Sequence, residues 1–410
     1  MSLYESPSFD VNEPSFVPLA SAATPIHTVE PIERLSSALE GVLMIRKREP
    51  VQRNVPGFVF TGMLLGSPDT LYRVVVDRFR LLGYTPVLER YHGEDVVIAL
   101  PGVARTRRLN TPWWLHLGLL IVTLISTLAS GAMLGGYAVR DLWRAAFVTH
   151  NVPLLWHAAI VGAPFALTLL LILGVHEMGH YVAARLHGVR VTLPFFIPLP
   201  IIGLLGTLGA VIFIKDPLAN RKSLFDVGIS GPLAGLIVSL PAFVIGLQLP
   251  VADPTHAALH VFQGSFGGWQ FSGLGMPPLL EWLGHLVTKA PLAYAVLDHP
   301  VALAAWFGVL LTVLNLLPIG QLDGGHVMYT LFGRFAWVIA LATFGVLLIL
   351  GLTVYQSFLF YAFLALITGL RHPPPGNDIT PLDPLRKAIG VGTIVLFGLI
   401  VTVTPFIVQQ

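Results

Sequence analysis

From Trp113 onward, apolar runs recur at about the 20 residues a helix needs to cross a bilayer, parted by short polar stretches. The pattern predicts spans near 113–137, 158–186, 225–248, 300–319, 335–352, 354–370 and 388–408. Between the second and third, Val191 to Pro217 is equally apolar but interrupted by Pro194, Pro198, Pro200 and several glycines. Such a stretch makes a poor helix. Non-helical backbone at membrane depth is tolerated only against protein or a water-filled cavity, so a re-entrant loop or hairpin lining a site is expected there. Upstream the period changes. Phe58–Leu64 has strand character; Ser67, Pro68 and Gly83 bracket Leu71, Val74, Val75, Phe79 and Leu82 at helical spacing; two more strand-like runs meet at His92 and Gly93. These elements predict a β-α-β-β domain over residues 40–110, after an unstructured Ser-, Pro- and Glu-containing tail over 1–39 and before a membrane domain over 111–410. The expected fold class is mainly α: a bundle of about seven transmembrane helices with a re-entrant hairpin and a small cytosolic N-terminal α+β domain. The outer loop from Pro250 to Pro300, rich in Gly and aromatics, carries no legible element.

Composition turns this pattern into a class. The chain is 54% hydrophobic and 11% charged, against about 25% charged in soluble domains, and its mean hydropathy is +0.75. An integral membrane protein follows. The net charge of +2 gives no case for a nucleic-acid partner, and the positions of the cations say more than their sum. With the N-terminus in the cytosol, Arg185, Arg190, Lys215, Arg221, Lys222, Arg334, Arg371, Arg386 and Lys387 fall on the inner side, joined by Arg105, Arg107 and Arg108. Only Arg140, Arg144 and Lys289 fall outside, the asymmetry expected of inner loops. Residues 1–40 lack the basic start and apolar core of a secretory signal, and a bacterial inner membrane is the expected location. There is no cysteine, so any metal must be held by His, Asp or Glu.

One run of chemistry stands in the second span. His176 and His180, in "HEMGH", share a helix face about 6 Å apart along the axis, which lets both imidazoles reach one Zn²⁺. Glu177 beside the first is placed to take a proton from water. Two core histidines with an accidental glutamate would be a fair competitor in a soluble helix. In lipid, each ionisable group costs about 2.5–3.5 kcal/mol at the centre of a span, and three together call for a partner that offsets the cost. A third ligand is needed. Glu281, the only later glutamate, falls in the outer loop, and the metzincin third histidine is missing. Asp216, Asp226, Asp253, Asp298, Asp378 and Asp383 lie in loops or span ends where a solvated role suffices. Asp323 is embedded in "LNLLPIGQLDGGH" at the inner end of span four and is the best candidate; His326 is a rival that an interfacial, water-facing role explains better. Arg371 to Asp378, with three prolines, reads as a rigid extended turn, with His372 and Asp378 near the mouth of the site as a further option. Gly131 and Gly135 have the spacing of a helix-packing motif.

"HEMGH" followed in a later span by "NLLPIGQLDGG" resembles the site-2 protease family of intramembrane zinc metalloproteases, whose second motif runs Asn, Pro, Asp, Gly, here Asn315, Pro318, Asp323 and Gly324. The resemblance covers roughly Trp113 to Leu370. It implies His176, His180 and Asp323 as zinc ligands, Glu177 as base, Asn315 as a polar partner of substrate or transition state, and a re-entrant hairpin after the first motif. It implies, as activity, regulated intramembrane proteolysis: hydrolysis within or near the transmembrane segment of single-span proteins in the bilayer. Two departures stand out: no PDZ-like insert is present, as in the bacterial and plastid branch with a soluble N-terminal region, and Gln321 replaces a common proline. A catalytically silent metal-binding protein of the same fold is the alternative, against which the intact Glu177 speaks. A metal transporter would need ionisable groups along a path across the bilayer, whereas these gather at one depth.

Overall fold

The computed structural model describes all residues except 1–29, 53–54, 104–110, 200–204, 252–257, 259–260, 263–269, 355–356, 403 and 410. Arg105, Arg107 and Arg108 and most of the expected N-terminal tail therefore lie outside the described residues. Two compact units are formed.

The first unit takes the chain up to Thr106 together with Pro217–Arg221 and Arg371–Leu382. Its elements are α1 (Pro31–Ala38), β1 (Leu43–Gln52), β2 (Val55–Leu64), α2 (Pro68–Leu81), β3 (Tyr84–Tyr91) and β4 (Glu94–Pro101), with an antiparallel sheet in the order β1-β2-β4-β3. The expected helix and hairpin are present. His92 and Gly93 both take positive φ in the turn between β3 and β4, and Ser67 is the N-cap of α2, although its side chain makes no capping bond. Two elements depart from expectation. Helix α1 falls inside the stretch expected as a tail, and it is held because Leu35 buries fully in the unit's core with Phe60, Val75 and Phe79. Strand β1 reads as polar because it is an edge strand, where Arg46, Lys47 and Arg48 face solvent at no penalty.

Two distant segments complete this unit. Asp69 Oδ1 accepts hydrogen bonds from Asn220, Asn377 and Thr380, at 3.0 Å for the Thr380 hydroxyl. Asn377 also forms parallel bridges with Leu88 and Asn220, and Arg221 grips Asp378 through both carboxylate oxygens at 2.7 and 3.0 Å. Asp378 is thus paired with Arg221.

The second unit is mainly helical. It comprises α3 (Trp113–Leu134), α4 (Val139–Phe147), α5 (Val152–Leu186), β5 (Phe195–Pro198), β6 (Thr207–Val211), α6 (Arg221–Gly246, from Lys222), β7 (Gln270–Leu274), α7 (Pro278–His285), α8 (Leu292–Asp298), α9 (Pro300–Asn315), α10 (Asp323–Phe332), α11 (Ala336–Thr353), α12 (Ser357–Thr368), α13 (Pro384–Ile400) and β8 (Phe406–Gln409). Among the described residues, α3, α5, α6 and the run Asp323–Thr353 are long and apolar enough to cross a membrane; α8 and α9, bent by 115°, make a fifth if taken as one span. Helices α12 and α13 are shorter, at 12 and 17 residues. The span expected over 388–408 ends at Ile400, where the β-branched run before Pro405 leads into β8. β8 pairs antiparallel with β7, which gives the loop over 250–300 a structured element.

The core of this unit packs Phe165, Leu169 and Ile172 of α5 against Leu236 and Phe243 of α6 and Trp306 and Phe307 of α9. Trp306 is buried, and its indole N–H donates to the Gly275 carbonyl at 3.1 Å. Helices α3 and α5 touch backbone to backbone: a Cβ on Gly131 would meet the Gly162 carbonyl oxygen at 2.5 Å, so the small-residue spacing marks a real crossing. Outward, Ile121, Ile125, Leu167, Leu171, Ile237 and Ile349 are exposed, as a lipid-facing surface requires. The broken segment after α5 is a hairpin. β5 and β6 pair Phe195 with Val211 and Ile197 with Gly209, and the ladder continues to its base, where Arg190 holds Asp216 in a two-point ion pair at 3.0 Å.

Candidate functional site

His176, Glu177 and His180 are buried in the C-terminal half of α5. Helical spacing sets the two imidazoles edge to face, leaving their Nε2 atoms 3.2 Å apart. The second motif supplies the third side chain through a tight turn. After Asn315 ends α9, the Ile319 and Leu322 N–H groups donate to the carbonyls of Leu317 and Ile319, Gly320 takes a φ of +48°, and α10 begins at Asp323. A Cβ on Gly324 would stand 2.0 Å from the Leu316 carbonyl oxygen, so the turn closes only over glycine. Asp323 Oδ2 is thereby brought 3.2 Å from His180 Nε2 and 3.5 Å from His176 Nε2.

The dimensions and the protons of this triangle both fit a metal. Ligand atoms around a tetrahedral Zn²⁺ at about 2.0–2.1 Å stand about 3.3 Å from one another, close to the three separations found. His180 Nδ1 is 2.7 Å from the Val227 carbonyl oxygen, which can only accept. The Nδ1 proton points there, and whenever the ring is neutral its Nε2 is left as an acceptor toward the Asp323 carboxylate. Acceptors that face one another need a cation between them, and the convergence of a third donor atom, His176 Nε2, suits a metal better than a single shared proton. Among the described residues these are the three whose ligand atoms lie within 4.8 Å of one another. His326, the rival ligand, is not in the group; its Cβ packs where a Cβ on Gly228 would lie 2.7 Å away.

The remaining candidates surround the triangle. Glu177 is buried next to His176, and strand β6 of the hairpin packs against the helix that carries it. Asn315 Nδ2 lies 3.2 Å from His176 Nε2. Helix α6 closes the other side in a way that the sequence reading did not single out. A Cβ on Gly231 would stand 2.1 Å from His180 Nε2, and one on Gly235 would stand 3.1 Å from His176 Nδ1. The four-residue spacing of these glycines in an apolar helix was the available signal.

Residues 164–352 match the model of Peptidase family M50. The chain is 32% identical over 250 residues to the protein named probable zinc metalloprotease EGY2, chloroplastic, of Arabidopsis thaliana, covering 60% of this chain and 42% of that protein. With the probable zinc metalloprotease EGY1, chloroplastic, of the same plant it shares 33% over 271 residues, covering 62% and 45%. With the probable zinc metallopeptidase EGY3, chloroplastic, it shares 30% over 310 residues, covering 73% and 50%. The chain therefore spans about half the length of these curated relatives. No solved structure matches it. Both signature segments lie inside the matched residues, which make up just under half of the chain, so the site falls in the part that is similar to Peptidase family M50, the site-2 protease family.

Proposed function

We propose that the protein is an intramembrane zinc endopeptidase that hydrolyses peptide bonds within or near the transmembrane segment of single-span membrane proteins. The observation that carries this reading is the convergence of His176, His180 and Asp323 from two separate helices, with the buried Glu177 beside them. His176, His180 and Asp323 would hold the zinc. Bound zinc supplies Lewis-acid chemistry, polarising a peptide carbonyl and acidifying water towards neutral pH. Glu177 takes the proton from the attacking water and returns it to the leaving amine, so the peptide C–N bond breaks with no net proton change at the carboxylate. Asn315, at the end of α9, offers its amide to the substrate carbonyl as charge develops on it.

A helical substrate hides its peptide bonds and must unwind to be cut. Among the described residues the β5–β6 sheet has two strands, which leaves each with one edge outside the pair. We assign that edge of β6 to the unwound substrate by strand addition, with the hairpin re-entrant from the cytosolic side. The full topology we propose has seven crossings, with α12 and α13 as short spans, in a bacterial inner membrane with the N-terminal unit in the cytosol. The cations Arg185, Arg190, Lys215 and Lys222 around the hairpin base support that orientation.

The test compares membrane proteomes of native cells carrying the intact protein or Glu177→Gln and scores short single-span fragments. Fragments that accumulate only with the variant support proteolysis and identify the substrates. If no fragment differs, under stress as well as at rest, while the variant is stably expressed, the proposal fails in favour of a silent metal-binding protein.

A further inference from the structure

The zinc reading of the site leaves open what holds the carbonyl that orients His180. That carbonyl belongs to Val227, and the residue before it, Asp226, is the junction of three helices. Arg386, in the first turn of α13, donates to Asp226 through Nε at 2.8 Å and Nη2 at 2.6 Å. His187, at the C-terminal cap of the helix that carries His176 and His180, lies with its Nε2 2.8 Å from the same carboxylate. Arg386 is itself fixed by Asp383, whose side chain accepts from the Arg386 backbone N–H at 3.0 Å and from its guanidinium. One carboxylate therefore ties the end of α5, the first turns of α6 and the start of α13.

We propose that Arg386 is a positioning residue for the metal site: by clamping Asp226 it sets the turn of α6 whose Val227 carbonyl fixes the tautomer and angle of His180. The inference rests on the zinc reading. It also extends the site beyond the matched family region, since α13 begins after residue 352. The side chains of Asp226 and Arg386 keep 25% and 30% of their exposure, so the pair adds little to stability. What a two-point guanidinium–carboxylate contact supplies is geometry. The chain's own chemistry thus separates positioning from folding, and a measurement can do the same.

The test uses the full-length protein in nanodiscs and measures zinc affinity against a competing chelator, with the absorption bands of the Co²⁺-substituted site as a readout of ligand geometry. Arg386→Gln should bind zinc about tenfold more weakly, the lower end of what loss of outer-shell support costs, and should shift the Co²⁺ bands while thermal unfolding of the metal-free protein stays unchanged. Arg386→Lys keeps the charge and loses the fork; it serves if the Gln variant does not fold and should move affinity and bands in the same direction. Native affinity and unshifted bands in a folded variant overturn the inference and leave the zinc reading standing. Weaker binding that merely tracks a lower unfolding temperature, with unshifted bands, also overturns it. Failure of the unaltered protein to bind zinc rejects the zinc reading itself.

Discussion

A methyl group at position 231 would stand 2.1 Å from His180 Nε2, so Gly231→Ala must displace either α6 or the imidazole. The expected outcome is a folded protein whose zinc affinity falls by about 10- to 100-fold, as outer-shell disruptions do, read as metal content after chelator competition. Glu177→Gln makes the opposite split, because Glu177 is not among the ligand atoms. It should retain zinc while cleavage falls by about 100- to 10,000-fold, the span associated with a general base. At this scale the sequence was informative where spacing alone decides. Two histidines four apart on a helix meet whatever the rest of the chain does, and Asp323 stood out because a carboxylate embedded in apolar sequence needs a reason. Arg386 was not legible, and Gly231 showed only as one of two glycines four apart in an apolar helix. Asp226 and Arg386 are 160 residues apart in the chain, and each reads locally as an ordinary solvated charge at a span end.

Elements carry the hairpin, whose two ends respond to different perturbations. Proline lacks the backbone N–H and fixes φ, so Leu208→Pro, at an exposed side chain in β6, damages the strand edge without touching a ligand. Zinc content should be unchanged and cleavage of a single-span substrate should fall about tenfold, the worth of one or two backbone hydrogen bonds; unaltered cleavage would remove the strand-addition step. At the base, Arg190 beside Asp216 holds its carboxyl below the usual carboxylate range. The unfolded chain therefore takes up the proton more readily than the folded one, so the pair's contribution is complete above the ordinary aspartate pKa of about 3.9 and is lost as pH falls through the lower folded value. Hydrogen exchange at Lys215, whose amide donates to the Arg190 carbonyl, should stay protected from pH 7 to about pH 4 and rise below it, with Asp216→Asn losing that dependence. The broken apolar segment was legible as non-helical from its prolines. Strands β7 and β8 were not, because neither run predicts a partner more than 130 residues away.

On the scale of the whole molecule, the N-terminal unit is completed by Pro217–Arg221 and Arg371–Leu382, segments that continue directly into α6 and α13. Asp69 accepts from residues of both, so Asp69→Ala should release Arg371–Leu382 and raise its proteolytic cleavage and hydrogen exchange, with α2 and the four-stranded sheet still protected. Periodicity told an N-terminal α+β stretch from the apolar helices but not these additions, since a proline-rich turn carries no pattern that announces its pairing. The central claim is that the metal triangle and Glu177 cut peptide bonds inside the bilayer. The most direct measurement reconstitutes the purified, zinc-loaded protein in proteoliposomes with single-span proteins and maps the products by mass spectrometry, for the unaltered chain, Glu177→Gln and the chelated protein. The account predicts a cut within or at the edge of the apolar stretch that disappears in both controls. A cut that survives Glu177→Gln, or one confined to soluble regions of the substrate, would contradict it.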